Sequence, residues 1–317
     1  MSPNGLFKAS DNHGSKTLER LITNNFYHKK VLKMNQDIIK LYDEYTHKPL
    51  SRSEFIKKLA QLTGSMTAAM SMLPLLEVNY SNALTVTEND LFTERVEYAG
   101  AEGAMKAYVA RPVKEGKYPA VLVIHENRGL NPHIEDVTRR AAQAGFLAIA
   151  PDALSPLGGT PENADQARDM FAKLDASKNL TNFVKGVDYA AARADSSGKV
   201  GCVGFCWGGA MANNLAVNAP NLKVAVAFYG RQAVAEDVPK IQAALQLHYG
   251  GLDERINAGI PAYEKALKDA GKTYELYIYD NVNHAFHNDT APTRYDATAA
   301  KLAWSRTLAF WEKYLKG

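Results

Sequence analysis

The chain has 317 residues, of which 46% are hydrophobic and 22% charged, and its formal net charge at pH 7 is +3. This is the composition of a globular protein, with enough residues for one large α/β domain and an extension. The small, evenly spread positive charge argues against a nucleic-acid-binding protein. The two cysteines are Cys202 and Cys206, and neither a C-x-x-C pair nor a histidine-rich set predicts a metal site.

Residues 1–80 are predicted to form a helical extension. From Leu18 to Tyr45, apolar residues recur at helical spacing, which predicts one or two amphipathic helices. Lys48-Pro49 ends this segment. Ser51 and Glu54 then have the spacing of a capping box, which predicts that a further helix begins there.

The segment from Ser51 to Leu76 resembles a twin-arginine export signal, but Ser53 stands where the second arginine belongs. The export receptor reads paired arginines, and the apolar run is shorter than the ~20 residues that a spanning helix needs. We therefore expect a degenerate signal remnant that is docked as a helix, no stable membrane span and a cytoplasmic location. Export to the periplasm is the alternative if the segment still functions.

Residues 81–317 are predicted to form one α/β domain. Leu91–Tyr98 and Met105–Arg111 alternate apolar and polar residues around a glycine-containing turn, which predicts an antiparallel hairpin at a sheet edge. Beyond it, apolar strands alternate with helical patterns, so the sheet should be mostly parallel and covered by helices on both faces. The predicted strands are Ala120–Ile124, Phe146–Ala150, the strand before Cys206, Val224–Phe228, Ala243–Tyr249 and Tyr274–Tyr279. The predicted helices are Pro132–Ala144, Glu162–Lys173, Leu180–Arg193, the helix after Cys206, Ile260–Ala270 and Ala297–Leu315.

Residues 199–212 begin as an apolar strand and continue as a helix of small residues. The Gly-Phe-Cys-Trp-Gly-Gly sequence between them matches the G-x-S-x-G nucleophile elbow, with Cys206 in place of serine. Such a nucleophile has a strained backbone, and we expect that a Cβ at Gly204 or Gly208 would collide with a neighbouring element. The helix N-terminus favours a thiolate at Cys206, and the N–H of Trp207 can meet a developing oxyanion. The alternative is a tight turn beside a buried structural cysteine.

Four reactive side chains, those of Glu126, Cys206, Asp253 and His284, follow predicted strands. Sites in parallel sheets form at the carboxyl ends of strands, so we expect these side chains to lie close together. Cys206, Asp253 and His284 also follow the order nucleophile, acid, base. In such a set the histidine takes the thiol proton and the carboxylate fixes its tautomer. His287 is the alternative base, and Asp253 could instead be a turn residue.

From about residue 90 to the C-terminus, the chain resembles the dienelactone hydrolase (carboxymethylenebutenolidase) family of the α/β-hydrolase superfamily. The resemblance is carried by Gly-Phe-Cys-Trp-Gly-Gly at 204–209, Phe-Tyr-Gly at 228–230, Tyr-Gly-Gly-Leu-Asp at 249–253 and Asn-His-Ala-Phe at 283–286. It implies the α/β-hydrolase fold and a catalytic triad of Cys206, Asp253 and His284.

The resemblance also implies roles for three residues around this triad. Glu126 falls on the family's extra glutamate, which would hydrogen-bond the resting thiol and move away when substrate binds. Asn127 and Trp207 would supply the two N–H groups of the oxyanion hole.

The chain departs from the family where the prototype binds its substrate carboxylate. Of the two arginines used there, one position holds Asn288 and the other aligns best with Ala164, one turn from Arg168. Arg128 is the candidate substitute for substrate binding. The alternative role for Glu126 is a salt bridge to Arg128.

These features predict a hydrolase that cleaves a carboxylic ester or lactone through a thioester, without a metal or cofactor. The expected partner is the small-molecule substrate, and the sequence leaves the oligomeric state open. One alternative is a thiol redox or sensing protein that uses Cys202 and Cys206, although their spacing on a strand makes a mutual disulfide geometrically unlikely. Another is a binding protein on a hydrolase scaffold, with residues 16–76 as a docking or membrane-surface module.

Overall fold

The computed structural model describes residues 36–80 and 90–317. Contacts divide the chain into two units, with the boundary between Leu76 and Glu77. The part of the predicted amphipathic helices that precedes residue 36 lies outside the described residues.

The N-terminal unit contains three helices in its described part: α1 over residues 36–47, α2 over Arg52–Thr63 and α3 over Met66–Leu76. Ser51 caps α2, since its hydroxyl accepts from the N–H of Glu54 at 3.2 Å and its own N–H donates to the Glu54 carboxylate at 3.1 Å. The capping-box prediction is therefore confirmed.

The helices α2 and α3 meet at a bend of 112°. Taken together they have the length and composition of a membrane span. Within the described ranges, no single helix is long and apolar enough to cross a membrane.

The second unit is built on one eight-stranded sheet in the order β1-β2-β4-β3-β5-β6-β7-β8. β1 pairs antiparallel with β2 and β2 antiparallel with β4, whereas every other pairing is parallel. This confirms both the edge hairpin and the mostly parallel sheet. The strands are β1 Leu91–Ala99, β2 Ala104–Pro112, β3 Tyr118–Ile124, β4 Leu147–Pro151, β5 Ser196–Phe205, β6 Leu222–Phe228, β7 Ala244–Gly250 and β8 Tyr274–Tyr279.

Helices cover both faces of this sheet. They are α4 Pro132–Gln143, α5 Ala164–Phe171, α6 Ala176–Ala192, α7 Trp207–Asn218, α8 Glu254–Asn257, α9 Ile260–Asp269 and α10 Ala297–Trp311, which a wider turn over Glu312–Lys316 extends. α6 begins four residues before the predicted Leu180 because Asp175 caps it, accepting from the N–H of Lys178 at 2.9 Å. The short α8 was not predicted.

Each strand divides its apolar side chains between two cores. In β3, Leu122 packs into the core formed with α6, α7 and α9, whereas Val121 packs into the core formed with α4 and α10. Both side chains are fully buried. Burial on both faces fixes the register of the parallel strands. Because these strands run in the same direction, their carboxyl ends share one edge of the sheet.

Candidate active site

Cys206 lies at the turn between β5 and α7, with φ 55° and ψ −110°. This positive φ is rare for a residue with a side chain, and the backbone N–H of Cys206 is held by the carbonyl of Phe228 at 3.0 Å. A Cβ on Gly204 would overlap the backbone of Gly208, and one on Gly208 would overlap the carbonyls that end β3. The predicted strain and the need for both glycines are confirmed. The thiol side chain is almost covered, since Cys206 is 8% exposed.

His284 and Asp253 come together at the same edge of the sheet. Nδ1 of His284 lies 2.5 Å from Oδ2 of Asp253, and both residues are 5% exposed. A ring nitrogen of His284 lies within 4.8 Å of Sγ of Cys206. Because the carboxylate holds the proton on Nδ1, Nε2 is the nitrogen that can accept one. The structure thus brings Cys206, Asp253 and His284 together as the sequence predicted.

Asp253 also has a structural role, as the N-cap of a helix and not as the turn residue of the alternative. Its Oδ1 accepts from the N–H of Ile256 at 3.3 Å and so caps α8. One carboxylate oxygen therefore fixes the helix and the other fixes His284. The cap reduces the freedom of Asp253 to turn away from the imidazole.

Glu126 is held by two residues from other loops. Its Oε2 accepts from Nδ2 of Asn288 at 2.8 Å, and its Oε1 accepts from the hydroxyl of Tyr229 at 3.3 Å. Burial, followed by the charges of Glu126 and Cys206, keeps the pKa of Tyr229 well above its usual value. The phenol therefore stays protonated and donates. Its ring lies 4.9 Å from the ring of His284, measured between centroids.

No role for Tyr229 or for the amide of Asn288 could be predicted from the sequence. Tyr229 has φ 40°, a rare value for a bulky residue, and it directly precedes Gly230 at the end of β6. In the sequence, the place of Tyr229 in the Phe-Tyr-Gly motif was the one indication that it could have a role. Asn288 was noted only as a missing arginine, whereas in the structure it binds Glu126.

His125 fixes the backbone of the loop that carries Glu126. Its Nε2 accepts from the N–H of Ala153 at 3.0 Å, so Nδ1 carries the proton and donates to the carbonyl of Glu126 at 2.7 Å. Burial lowers the pKa of this imidazole despite the nearby charges of Asp152 and Glu126, which favours the neutral ring. The ring also stacks on Trp207, with centroids 5.7 Å apart and planes 16° apart. No pattern in the sequence predicted a role for His125.

The arginines considered for substrate binding have different surroundings. Arg128 lies two residues after Glu126 and is 6% exposed. Arg168, on α5, is paired with the carboxylate of Asp169 at 2.8 Å and lies 3.9 Å from that of Asp165. Its charge is therefore engaged within its own helix.

His287, the alternative base, lies in an aromatic and ionic environment of its own. Its ring stacks on Phe205 at 5.0 Å and lies 6.3 Å from the ring of His133. Burial and the charges of His133 and Arg140 hold its pKa well below the usual value. The carboxylate beside His133 is Asp289, 2.9 Å from Nδ1 of that ring. The hydrogen bond to Asp253 favours His284 over His287 as the base.

Cys202 lies on β5 and is fully buried. Burial raises the pKa of its thiol to about 12, which disfavours the thiolate needed for redox exchange. Cys202 and Cys206, which both belong to the described residues, form no disulfide. Within residues 90–317, no three side chains of His, Cys, Asp or Glu lie close enough together to hold a metal ion. That the reaction needs neither a metal nor a cofactor stays a prediction.

The sequence model of the dienelactone hydrolase family matches residues 105–315. A protein of Methylorubrum extorquens assigned as a carboxymethylenebutenolidase is 32% identical over 242 residues, which cover 71% of this chain and 82% of that protein. A Bradyrhizobium protein assigned as a 2-oxo-3-(5-oxofuran-2-ylidene)propanoate lactonase is 35% identical over 229 residues, or 67% of this chain and 90% of that protein. A crystal structure described as a dienelactone hydrolase of Klebsiella pneumoniae subsp. pneumoniae, 29% identical, covers 71% of this chain and 100% of its own, with a TM-score of 0.65.

Proposed function

The chain belongs to the dienelactone hydrolase family and is a hydrolase of esters or lactones, and on that premise we propose that Cys206 cleaves the substrate through a thioester. One observation carries the proposal. Sγ of Cys206 lies within 4.8 Å of a ring nitrogen of His284, whose Nδ1 is 2.5 Å from Asp253. This arrangement supplies a nucleophile, a base and a group that orients the base.

In the first step Nε2 of His284 takes the proton from the thiol of Cys206, the thiolate forms a bond to the carbonyl carbon, and the carbonyl oxygen becomes an oxyanion. The N–H groups of Asn127 and Trp207 donate to this oxyanion. Trp207 is the first residue of α7, so no carbonyl of its own helix can accept from its N–H. The carbon–oxygen bond to the leaving group then breaks, and the imidazolium of His284 protonates the alcohol.

In the second step water cleaves the thioester. His284, now neutral, takes a proton from water as the hydroxide attacks the carbonyl carbon. The carbon–sulfur bond breaks, the acid leaves and the thiolate of Cys206 is restored. Asp253 keeps its contact to Nδ1 throughout and stabilises the transient imidazolium.

Glu126 is proposed to hydrogen-bond the thiol of Cys206 in the resting enzyme and to move away when substrate binds. Glu126 and Cys206 each stand two residues beyond the paired Ile124 and Gly204 of β3 and β5, which supports their closeness. Asn288 and Tyr229 supply the hydrogen bonds that Glu126 keeps in the resting state.

Arg128 is proposed to bind an anionic substrate group, since it lies in the Glu126 loop and Arg168 is engaged by acidic neighbours. A substrate panel of anionic lactones and neutral esters tests this with Arg128→Ala. A loss of activity confined to the anionic substrates supports the assignment. An equal loss on both classes contradicts it.

The thioester is tested with an activated aryl ester and a matched pair of cysteine variants. Cys206→Ala should lose hydrolysis by more than the ~10²–10³ that removal of one oxyanion donor costs. Cys202→Ala should keep turnover, because that thiol is buried on β5. Rapid acid quenching and mass spectrometry should detect the acyl group on Cys206.

One detail decides how the acylated residue is identified. Trypsin cleaves after Lys199 and Lys223, so Cys202 and Cys206 share a peptide. The adduct must therefore be mapped in the Cys202→Ala variant, where one cysteine remains. Unchanged turnover in Cys206→Ala would end the proposal.

A further inference from the structure

The loop after β3 carries Asn127, whose N–H is the proposed donor to the oxyanion. This N–H belongs to the same peptide unit as the carbonyl of Glu126. All peptide bonds of the described residues are trans, so the N–H of Asn127 points away from that carbonyl within one rigid plane. The groups that hold the carbonyl of Glu126 therefore also fix the direction of the N–H of Asn127.

Two hydrogen bonds hold the carbonyl of Glu126. Nδ1 of His125 donates to it at 2.7 Å, and the N–H of Gly129 donates to it at 3.4 Å. The second bond closes a turn in which Asn127 and Arg128 are the central residues. The position of Gly129 is thus one of the two determinants of where the N–H of Asn127 points.

Thr160 holds the far end of this turn. Its Oγ1 accepts from the N–H of Leu130 at 2.9 Å. The same side chain packs on Gly129 so closely that a Cβ at that position would overlap it. Gly129 also has φ 75°, which favours glycine. Thr160 therefore fixes the end of the turn by one hydrogen bond and by direct packing.

Asp152 orients the hydroxyl of Thr160. Its Oδ1 accepts from that hydroxyl at 2.8 Å, and its Oδ2 accepts from the N–H of Thr160 at 2.7 Å. A hydroxyl has one proton and a carboxylate can only accept, so the proton points to Asp152 and a lone pair is left for Leu130. Asp152 directly follows β4 and is 5% exposed, and its Oδ1 also accepts from the N–H of Leu154 at 2.9 Å.

The segment after β4 holds the loop after β3 at both ends. At one end the N–H of Ala153 donates to Nε2 of His125 at 3.0 Å. At the other end Thr160 accepts from Leu130. Asp152 alone would satisfy the hydroxyl of Thr160 and stabilise its own segment. The further bond to Leu130, 30 residues away, is the one that joins the two loops.

We propose that Thr160 and Asp152 are positioning residues for the oxyanion hole, an inference that rests on the proposed function. Asp152 fixes the hydroxyl of Thr160, and Thr160 fixes the turn at Leu130. The turn then fixes the peptide unit that carries the N–H of Asn127. This N–H is thereby oriented before substrate arrives, which is how a donor stabilises developing charge without reorganising.

Hydrolysis of an activated aryl ester by three threonine variants tests the role of Thr160. Thr160→Val keeps the shape of the side chain but loses the hydroxyl. We expect its kcat to fall about ten-fold with little change in KM, a smaller loss than the ~10²–10³ of a whole oxyanion donor. Thr160→Ser keeps the hydroxyl and should recover most of kcat. Thr181→Val, at an exposed hydroxyl of α6, is the matched control and should keep kcat.

Alkylation of Cys206 by iodoacetamide separates this role from general damage to the site. The thiolate displaces iodide at a saturated carbon, so a carbon–sulfur bond forms, a carbon–iodine bond breaks and no oxyanion develops. In the Cys202→Ala background, Thr160→Val should therefore be alkylated as fast as its parent although its kcat is lower. Equal losses in alkylation and in kcat would overturn the proposal, because they would show that the nucleophile itself is disturbed.

A double-variant cycle tests whether Asp152 acts through Thr160. Asp152→Ala should lower kcat by about the same factor as Thr160→Val, and combining them should cause little further loss. Each variant is assayed at a temperature where circular dichroism shows it to be folded. Additive losses, or a wild-type kcat in Thr160→Val, would contradict the proposal. Failure of the thioester mechanism would be seen separately, as unchanged turnover in Cys206→Ala.

Discussion

Asn288 donates a hydrogen bond to Glu126 across 2.8 Å, and both side chains are buried. A neutral amide therefore holds the carboxylate beside the proposed nucleophile. A hydrogen bond to a charged group is stronger than one between neutral groups.

We expect Glu126 and Asn288 to be energetically coupled. Glu126→Leu and Asn288→Leu should each destabilise the fold, and the double variant should be more stable than the sum predicts by about 1–3 kcal/mol. Urea unfolding of the four proteins in this cycle measures the coupling. Strictly additive effects would show that the hydrogen bond contributes nothing.

The Asp253–His284 pair should be required for the chemical step. In Asp253→Asn the amide cannot hold the productive tautomer of His284, and kcat should fall by about 10²–10⁴. Asp269→Asn, at an exposed ion pair with Lys265, is the control and should keep kcat. Adding Asp253→Asn to Cys206→Ala should cause little further loss, because the two residues act as one unit.

His125 should act as a positioning residue for the oxyanion hole. His125→Phe keeps an aromatic ring against Trp207 but loses the hydrogen bonds to Ala153 and Glu126. We expect kcat to fall about 10–100-fold with little change in KM, since loss of a whole oxyanion donor costs ~10²–10³. His125→Gln, which can still donate to the carbonyl of Glu126, should recover part of kcat. A rise in KM alone would contradict this role.

His248 should make the fold sensitive to mild acid. Burial, together with the charge of Arg306, lowers its pKa from 6.5 to about 3. The folded state thus favours the neutral ring, so this contribution to stability is complete above about pH 6.5 and is lost as the pH falls towards 3. At about pH 5 the loss is about 2 kcal/mol.

The measurement for His248 is urea unfolding at about pH 8 and about pH 5. Wild type should lose about 2 kcal/mol more stability over this interval than His248→Gln, which does not titrate. In the fold, Nδ1 of His248 lies 2.9 Å from the hydroxyl of Tyr279, and Nε2 lies 3.0 Å from Oε1 of Gln246. If wild type and His248→Gln lose the same stability over this interval, the ring of His248 must be protonated in the folded state as well.

The main elements of the site could be predicted because each follows a strong local signal. Cys206, Asp253 and His284 come after apolar strands, and parallel strands end at one edge of a sheet. The glycines at 204 and 208 mark the elbow by composition alone. Local periodicity also gave β8 with the same bounds as the structure, and the hairpin within a residue or two.

The supporting residues could not be predicted, because their roles depend on contacts between distant loops. His125 works through an N–H of the segment after β4, and Asn288 reaches back 162 residues to Glu126. Tyr229 stands in a motif, but its hydrogen bond depends on how β6 lies beside β5. No spacing in one sequence encodes such pairings. The start of α6 was predicted too late for a more local reason. The prediction followed the apolar pattern from Leu180, whereas the cap at Asp175 begins the helix at Ala176.

Asp289 anchors the chain that carries His284. Burial raises its pKa, but the hydrogen bonds and charges of His133 and Arg140 hold it well below the usual range. Both partners belong to α4, which follows the Glu126 loop, and Arg140 also pairs with Asp136 at 2.6 Å. Drawing His284 away from Glu126 would break these buried ion pairs. The segment that carries His284 is therefore braced against α4, so the movement proposed for Glu126 should be a rotation of its side chain and not a displacement of this segment.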